Sequence, residues 1–528
     1  MPPLRTPLLT LLCLAVCQAL SAADLKLPAV FSDHMVLQRD KPIAVWGWAD
    51  ADEEIIVEFA GQKKNAKADA SGKWSLRLEP LTASAESRKL TAKGKDDRKA
   101  EVSDVLVGDV WLGSGQSNMA MTVNRAKDFE KEKAAATFPL IRHFKEESGT
   151  ATAVQAQAKG KWLACTPDNV GGFSATLYFF GREIHREVGV PVGLINTSVG
   201  GTPIESWIAP EVQETKLELS AALKAQSDAM PKVDPEKAKA EYAAAVEKFK
   251  AAKAKALAEG KKAPRPPRNA ADVSERKGNY GGLFNGKVAP LVPFTLKGML
   301  WYQGEANSTD SRATLYVHQL SALVTDWRAR WGDEALPFAW VQLPNFKRAG
   351  EGWPLIRESM LKTLALPHTG MAIAIDIGDV GNIHPANKQE VGRRLSLWAL
   401  GTVYGKKVAA TSGPLPASHE IKGAEVIVTL SHADGLKTRD GGAVKGLQLA
   451  GVDKQWKPAS AKIDGAKLIV TSPDVAAPVA LRYAWLDNPE TNLVNVADLP
   501  ASPFRTDDWA PIPAPAPAPA AKGKAKAK

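Results

Sequence analysis

"VLVGDVWLGSGQSNMAM", residues 105–121, passes from a nearly unbroken apolar run into two glycines, a serine and an asparagine. An apolar run of this length, ended by small polar residues, reads as a strand buried on both faces, the kind that parallel sheets use. Its surroundings change character at the same place. Residues 24–103 alternate in period two, with Ile55, Val57 and Phe59 on one face and, after the turn "DASGK", Trp74, Leu76 and Leu78 on another. That pattern predicts a small antiparallel β-sandwich. Beyond residue 105 the apolar runs "VGLINTS", "LKGMLWY", "PFAWVQL" and "MAIAIDI" recur with helical stretches between them. Strands alternating with helices predict an α/β domain with a parallel sheet over about 104–410.

The flanking segments have other signatures. Residues 1–23 combine Arg5, an apolar run from about Leu8 to Leu20 and the small residues Ser21, Ala22 and Ala23, which predicts a secretory signal peptide and a secreted or periplasmic protein. Cys17 offers lipid anchoring as a rival, but bulky Val16 precedes it where lipoprotein signals carry a small residue. No later apolar stretch is long enough to span a bilayer. Of three cysteines, Cys13 and Cys17 leave with the signal, so Cys165 is expected to be a small buried apolar residue with no internal disulfide to join.

The formal charge of +10 does not describe a polyanion-binding groove. Residues 232–268 hold 11 basic and 5 acidic side chains, and Lys522, Lys524, Lys526 and Lys528 close the chain, so these two segments carry the whole excess. Nucleic acid is therefore not an expected partner. The first segment belongs to an Ala/Lys/Glu-rich insertion over 210–272, with Asp234 as a helix cap, Pro235 at the first helical position and Gly260 at the end. Residues 411–505, with "EVIVTL", "AKLIVTS" and "VALRYAW", predict a second all-β module. The Pro/Ala/Lys-rich residues 506–528 read as a disordered tail.

Open parallel sheets build their sites at the carboxyl ends of the strands. Ser117 follows the first buried strand, Gly200 and Gly201 follow "LINTS", Gln303 and Glu305 follow "LWY", and Asp379, Asn382 and His384 follow "MAIAIDI". Jointly these supply a nucleophile, oxyanion donors, an orienting acid and a base. Pro385 and the stripe Val391, Leu395 and Trp398 predict a helix opening at His384, whose positive end would hold the imidazole neutral. Gln303 and Glu305 are two apart and share a face if the chain stays extended, so one could donate to the oxyanion while the other orients His384. None of the eight histidines falls in an HExxH or similar spacing, and this chemistry calls for no metal and no cofactor.

The segments "GQSNM" (115–119), "GLINTSVGGTPIESWI" (193–208), "LWYQGEAN" (300–307) and "IHPANKQEVGRRL" (383–395) resemble the sialate O-acetylesterase family, a branch of the SGNH-type hydrolases. "FSDHMVLQRDKPIAVWGWA" and "LRYAWLDNPETNLVNVADLPASPFRTD" extend the resemblance over nearly the whole mature chain. It implies a flavodoxin-like α/β hydrolase domain flanked by N- and C-terminal all-β domains, acting on O-acetylated sugars. It also implies Ser117 as nucleophile, His384 as base, Gly200 or Gly201 and Gln303 around the oxyanion, and Glu305 in the triad. SGNH hydrolases commonly place an aspartate three residues before the histidine and this family often has one two before; here those positions are Gly381 and Asn382. Glu305 is then the first choice for the acid and Asp379 the second, with Asn382 a neutral partner for the ring. The expected activity is serine-dependent hydrolysis of acetyl esters on sugar hydroxyls, sialate or another acetylated polysaccharide such as xylan. A catalytically silent glycan-binding protein on the same fold is the competing reading.

Overall fold

The structure, a computed structural model, describes residues 24–228, 234–260, 263, 264, 266, 267, 280–347 and 350–510. The expected signal peptide and residues 511–528 lie outside the described residues. Residues 105–115 of the quoted stretch form the second half of one 17-residue strand, β1 (Lys99–Gly115). Its burial alternates up to Asp104 and is unbroken from Val105 to Gly115, because its two halves have different neighbours. The first pairs antiparallel with Ser84–Lys93, and Leu106–Gly108 pairs parallel with Val36–Gln38. The second lies at the centre of a sheet of β2 (Phe138–Lys145), β3 (Trp162–Cys165), β4 (Val192–Asn196), β5 (Gly298–Tyr302), β6 (Phe338–Gln342) and β7 (Thr369–Ile373), in the order β7-β6-β5-β1-β4-β2-β3.

Two expectations change here. The sheet is mixed rather than parallel, since β3 runs antiparallel to β2: the 146–161 connection carries no helix and brings the chain straight back, and a parallel return needs a crossover. The parallel strands are ordered β2-β4-β1-β5-β6-β7, which also departs from the simple flavodoxin sequence 2-1-3-4-5. The N-terminal β-strands are hydrogen-bonded into the same sheet through β1, which runs straight across residues 103 and 104. Arg39 grips Asp109 with two hydrogen bonds of 3.0 and 3.1 Å across this junction.

Helices cover both faces. Trp111 meets Phe180 of α1 (Ala175–Val188) edge-on on one side; Trp301 meets Trp327 of α2 (Tyr316–Trp331) on the other. α3 is Gly352–Thr363, and α4 (Lys388–Trp398) packs against α1. The insertion contributes helices Pro210–Thr215, Leu217–Asp228 and Pro235–Ala258, the last capped by Asp234, which accepts from Glu236 N and Lys237 N. Cys165 is free and buried, and burial pushes its thiol up to about 11.

From Leu415 onward the chain forms two four-stranded sheets and a two-stranded one. The fully buried Arg357 of α3 bolts this region on, donating to Leu486 O at 2.8 Å and Asp487 O at 2.9 Å. Residues 506–510 are not a free tail. The Asp507 carboxylate is wholly buried between Arg482 and Arg505, and Trp509 packs on Trp456.

Candidate active site

β1 is the point where the chain, having built one side of the sheet, crosses to the other, so the loops after β1, β4 and β5 open beside one another. Gly115 makes the turn that ends β1. Its φ of +130° is in the region that favours glycine, and a Cβ there would stand 2.2 Å from Tyr302 O. Ser117 then begins a short helix, Ser117–Ala120. α1 fixes that helix from below: Ser174 Oγ donates to Met119 O at 2.6 Å, and Thr176 Oγ1 to Asn118 O at 3.3 Å. β4 continues alongside through Val199 N to Gly115 O, which brings Gly200 so near that a Cβ would lie 3.5 Å from Ser117 Cβ. Gly201 turns the chain away with φ +73°, and a Cβ there would meet nothing within 4 Å.

His384 closes the site from the far side of the sheet. Its Nε2 is 2.7 Å from Ser117 Oγ, within hydrogen-bond reach for proton transfer. Burial, then the positive charges of Arg125 and Lys388, hold the imidazole below its ordinary value, so the ring is neutral and able to accept a proton at neutral pH.

Beneath this pair lies a buried polar network. Asn118 is fully buried, and its Nδ2 donates to Glu305 Oε1 at 2.5 Å and Ile383 O at 3.0 Å. Its Oδ1 accepts from Lys388 Nζ at 2.8 Å, and Lys388 also donates to Pro385 O at 2.7 Å. Lys388 has no exposed surface. Burial, helped by Arg125 and opposed by Glu305, brings its amine down to about 7, while burial raises the Glu305 carboxyl against the opposing Asn118 hydrogen bond.

Residues 107–258 and 279–399 match the model of the family described as carbohydrate esterase, sialic acid-specific acetylesterase. The chain belongs to that family. It is 27% identical over 513 residues to the sialate O-acetylesterase of Mus musculus, covering 86% of this chain and 88% of the relative. The Rattus norvegicus sialate O-acetylesterase is 28% identical over 529 residues, covering 92% and 93%. Among solved structures, a carbohydrate acetylesterase from Xanthomonas citri is 38% identical with a TM-score of 0.78, over 92% of this chain and 100% of that one. At the level of the family, the activity is hydrolysis of acetyl esters on carbohydrates.

Within this acetylesterase frame several sequence expectations find other partners. Glu305 meets Asn118 rather than His384, because the turn at Gly304 (ψ −31°) breaks the extended run that would have carried both side chains outward. Gln303 is fully buried, and its Nε2 faces three acceptors, Gln116 Oε1, Thr202 O and Asn307 Oδ1, so its two protons are used inside the protein and none serves an oxyanion. Asp379 accepts at Oδ1 from Gly381 N and Asn382 N and makes no bond to the His384 ring. Asn382 accepts from the main-chain N of His384, not from the ring. Among the described residues no carboxylate hydrogen-bonds the His384 ring. Nor does His384 open a helix: α4 starts at Lys388 with Asn387 as its cap, accepting from Glu390 N at 3.2 Å, so burial and neighbouring cations, not a helix end, hold the ring neutral. Asn118 and Lys388 were missed by sequence reasoning. Their signal was present, a polar residue inside each of the two motifs that carry Ser117 and His384, but local pattern gives no partner.

Proposed function

We propose that this chain is a secreted or periplasmic carbohydrate O-acetylesterase working through an acetyl-enzyme on Ser117. The observation that carries the reading is the 2.7 Å approach of His384 Nε2 to Ser117 Oγ at the switch point of the sheet, in a chain of the acetylesterase family. His384 Nε2 takes the hydroxyl proton as Ser117 Oγ attacks the acetyl carbonyl carbon. The main-chain N–H groups of Ser117 and of Gly200, which neighbours Ser117, are assigned to hold the negative oxygen of the tetrahedral intermediate. The protonated His384 then gives its proton to the departing sugar oxygen, leaving acetyl-Ser117. Water, deprotonated by His384, attacks the acyl carbon and releases acetate and the free serine. The polar rim and the glycine beside Ser117 suit a short acyl group on a hydrophilic alcohol. Acetate release from acetylated sialic acid and from acetylated xylan, with Ser117→Ala beside the native protein, tests this. Release that vanishes in the variant supports the serine route; binding of these glycans with no acetate freed by the native protein refutes it.

A further inference from the structure

With no carboxylate on the His384 ring, something else must hold the imidazole at Ser117. The two main-chain carbonyls on either side of His384, Ile383 O and Pro385 O, are each taken by a buried donor: Asn118 Nδ2 at 3.0 Å and Lys388 Nζ at 2.7 Å. The two donors are themselves joined, Lys388 Nζ to Asn118 Oδ1 at 2.8 Å, and Glu305 Oε1 anchors the second Asn118 proton. Asn118 directly follows Ser117, so a single short chain of hydrogen bonds ties the nucleophile's helix to both shoulders of the histidine. Apart from Lys347 N donating to Val380 O at 3.2 Å, well before the histidine, residues 379–384 otherwise bond among themselves and lie largely exposed.

We propose that Asn118 and Lys388 form a clamp that positions His384 on Ser117, in the role that a carboxylate on the imidazole plays in a Ser-His-Asp triad. They are positioning residues: neither need touch the substrate, and what they set is the Nε2–Oγ separation. The acid of the usual triad acts by orienting the ring from its Nδ1 side; here orientation comes through the backbone on both sides of the ring. Glu305 belongs to the clamp as the anchor of Asn118. This inference rests on the serine mechanism proposed above.

The test uses the full chain with 4-nitrophenyl acetate, a small ester whose binding does not depend on sugar contacts, and compares Ser117→Ala, Asn118→Ala, Lys388→Met and the Asn118/Lys388 double variant. A misplacement of the order of an ångström costs about 100-fold in rate. Each clamp variant is therefore expected to fold with a lowered thermal midpoint, since buried partners are left unmet, to keep its KM, to lose about 100-fold in kcat at a temperature where it is fully folded, and to react about as much more slowly with a fluorophosphonate at Ser117. The double variant should be no slower than the slower single one, because both residues act through one unit. Folded variants with native kcat, losses confined to KM, or losses that multiply in the double variant overturn the clamp. So does failure of both single variants to fold, which would make the network a general support of the domain. Undiminished turnover in Ser117→Ala would instead overturn the serine reading itself.

Discussion

Replacing Gly392 by alanine sets two effects of opposite sign against each other. Gly392 lies in α4 where it crosses α1, and a Cβ there would stand 2.6 Å from Phe179 Cβ and 2.7 Å from both Phe179 C and Phe180 N. In an isolated helix the change would gain about 1 kcal/mol from propensity. Here two of the three atoms met are helix backbone, which no rotamer change can move aside, and ordinary carbon contacts need about 3.5–4.0 Å. The two helices must therefore part by about 1 Å. Overpacking typically costs about 1–3 kcal/mol, and backbone contact puts this site at the upper end, so the net expectation is a loss of about 2 kcal/mol. Because α4 begins with Lys388, the displacement should also loosen the hold on Pro385 O and lower kcat. Urea unfolding of Gly392→Ala against the native protein reads the first effect, and 4-nitrophenyl acetate turnover the second. A variant as stable as the native protein, or more so, would refute the packing argument and leave propensity the larger effect.

Three further outcomes follow from the site. Glu305→Gln keeps the side-chain volume and leaves the Ser117–His384 bond in place, so kcat should fall far less than the ~10⁴-fold that removing a triad acid's charge costs; a loss of that size would restore Glu305 to the triad. Arg125→Gln removes one of the two cations that hold His384 below its ordinary value; the imidazole should then take up its proton at higher pH, and the acid limb of the kcat/KM profile should move upward. A limb that stays put or moves down counts against Arg125 as a neighbour of the ring. Gly200→Val fills the space beside Ser117, 3.5 Å from its Cβ at the nearest; turnover of acetyl esters should fall at least tenfold, about 1.4 kcal/mol, with the melting temperature unchanged, and native kinetics in the variant would remove Gly200 from the site.

How much of this was legible in the chain depends on the range of the interactions involved. Period-two alternation up to residue 103 and the unbroken apolar run after it marked the two halves of β1, since burial on one face or both is written in adjacent residues. That the two halves are one strand, and that β3 returns antiparallel, was not written there, because sheet pairing is chosen among distant segments. Ser117, Gly200 and His384 were legible as strand-end residues, and tertiary structure brings all three together.

The sequence by itself determined the α/β alternation, the accessory β regions, the family motifs and the strand-end places of Ser117 and His384. Tertiary structure decided who meets whom beneath them: Glu305 with Asn118 instead of His384, Gln303 with the interior instead of an oxyanion, and Lys388 with the shoulder of the histidine. Periodicity reports which side of a strand or helix is dry, over a few residues at a time. A hydrogen bond near 3 Å between residues 118 and 383 depends on where the whole fold sets two loops, and on which of several buried donors and acceptors would otherwise go unmet.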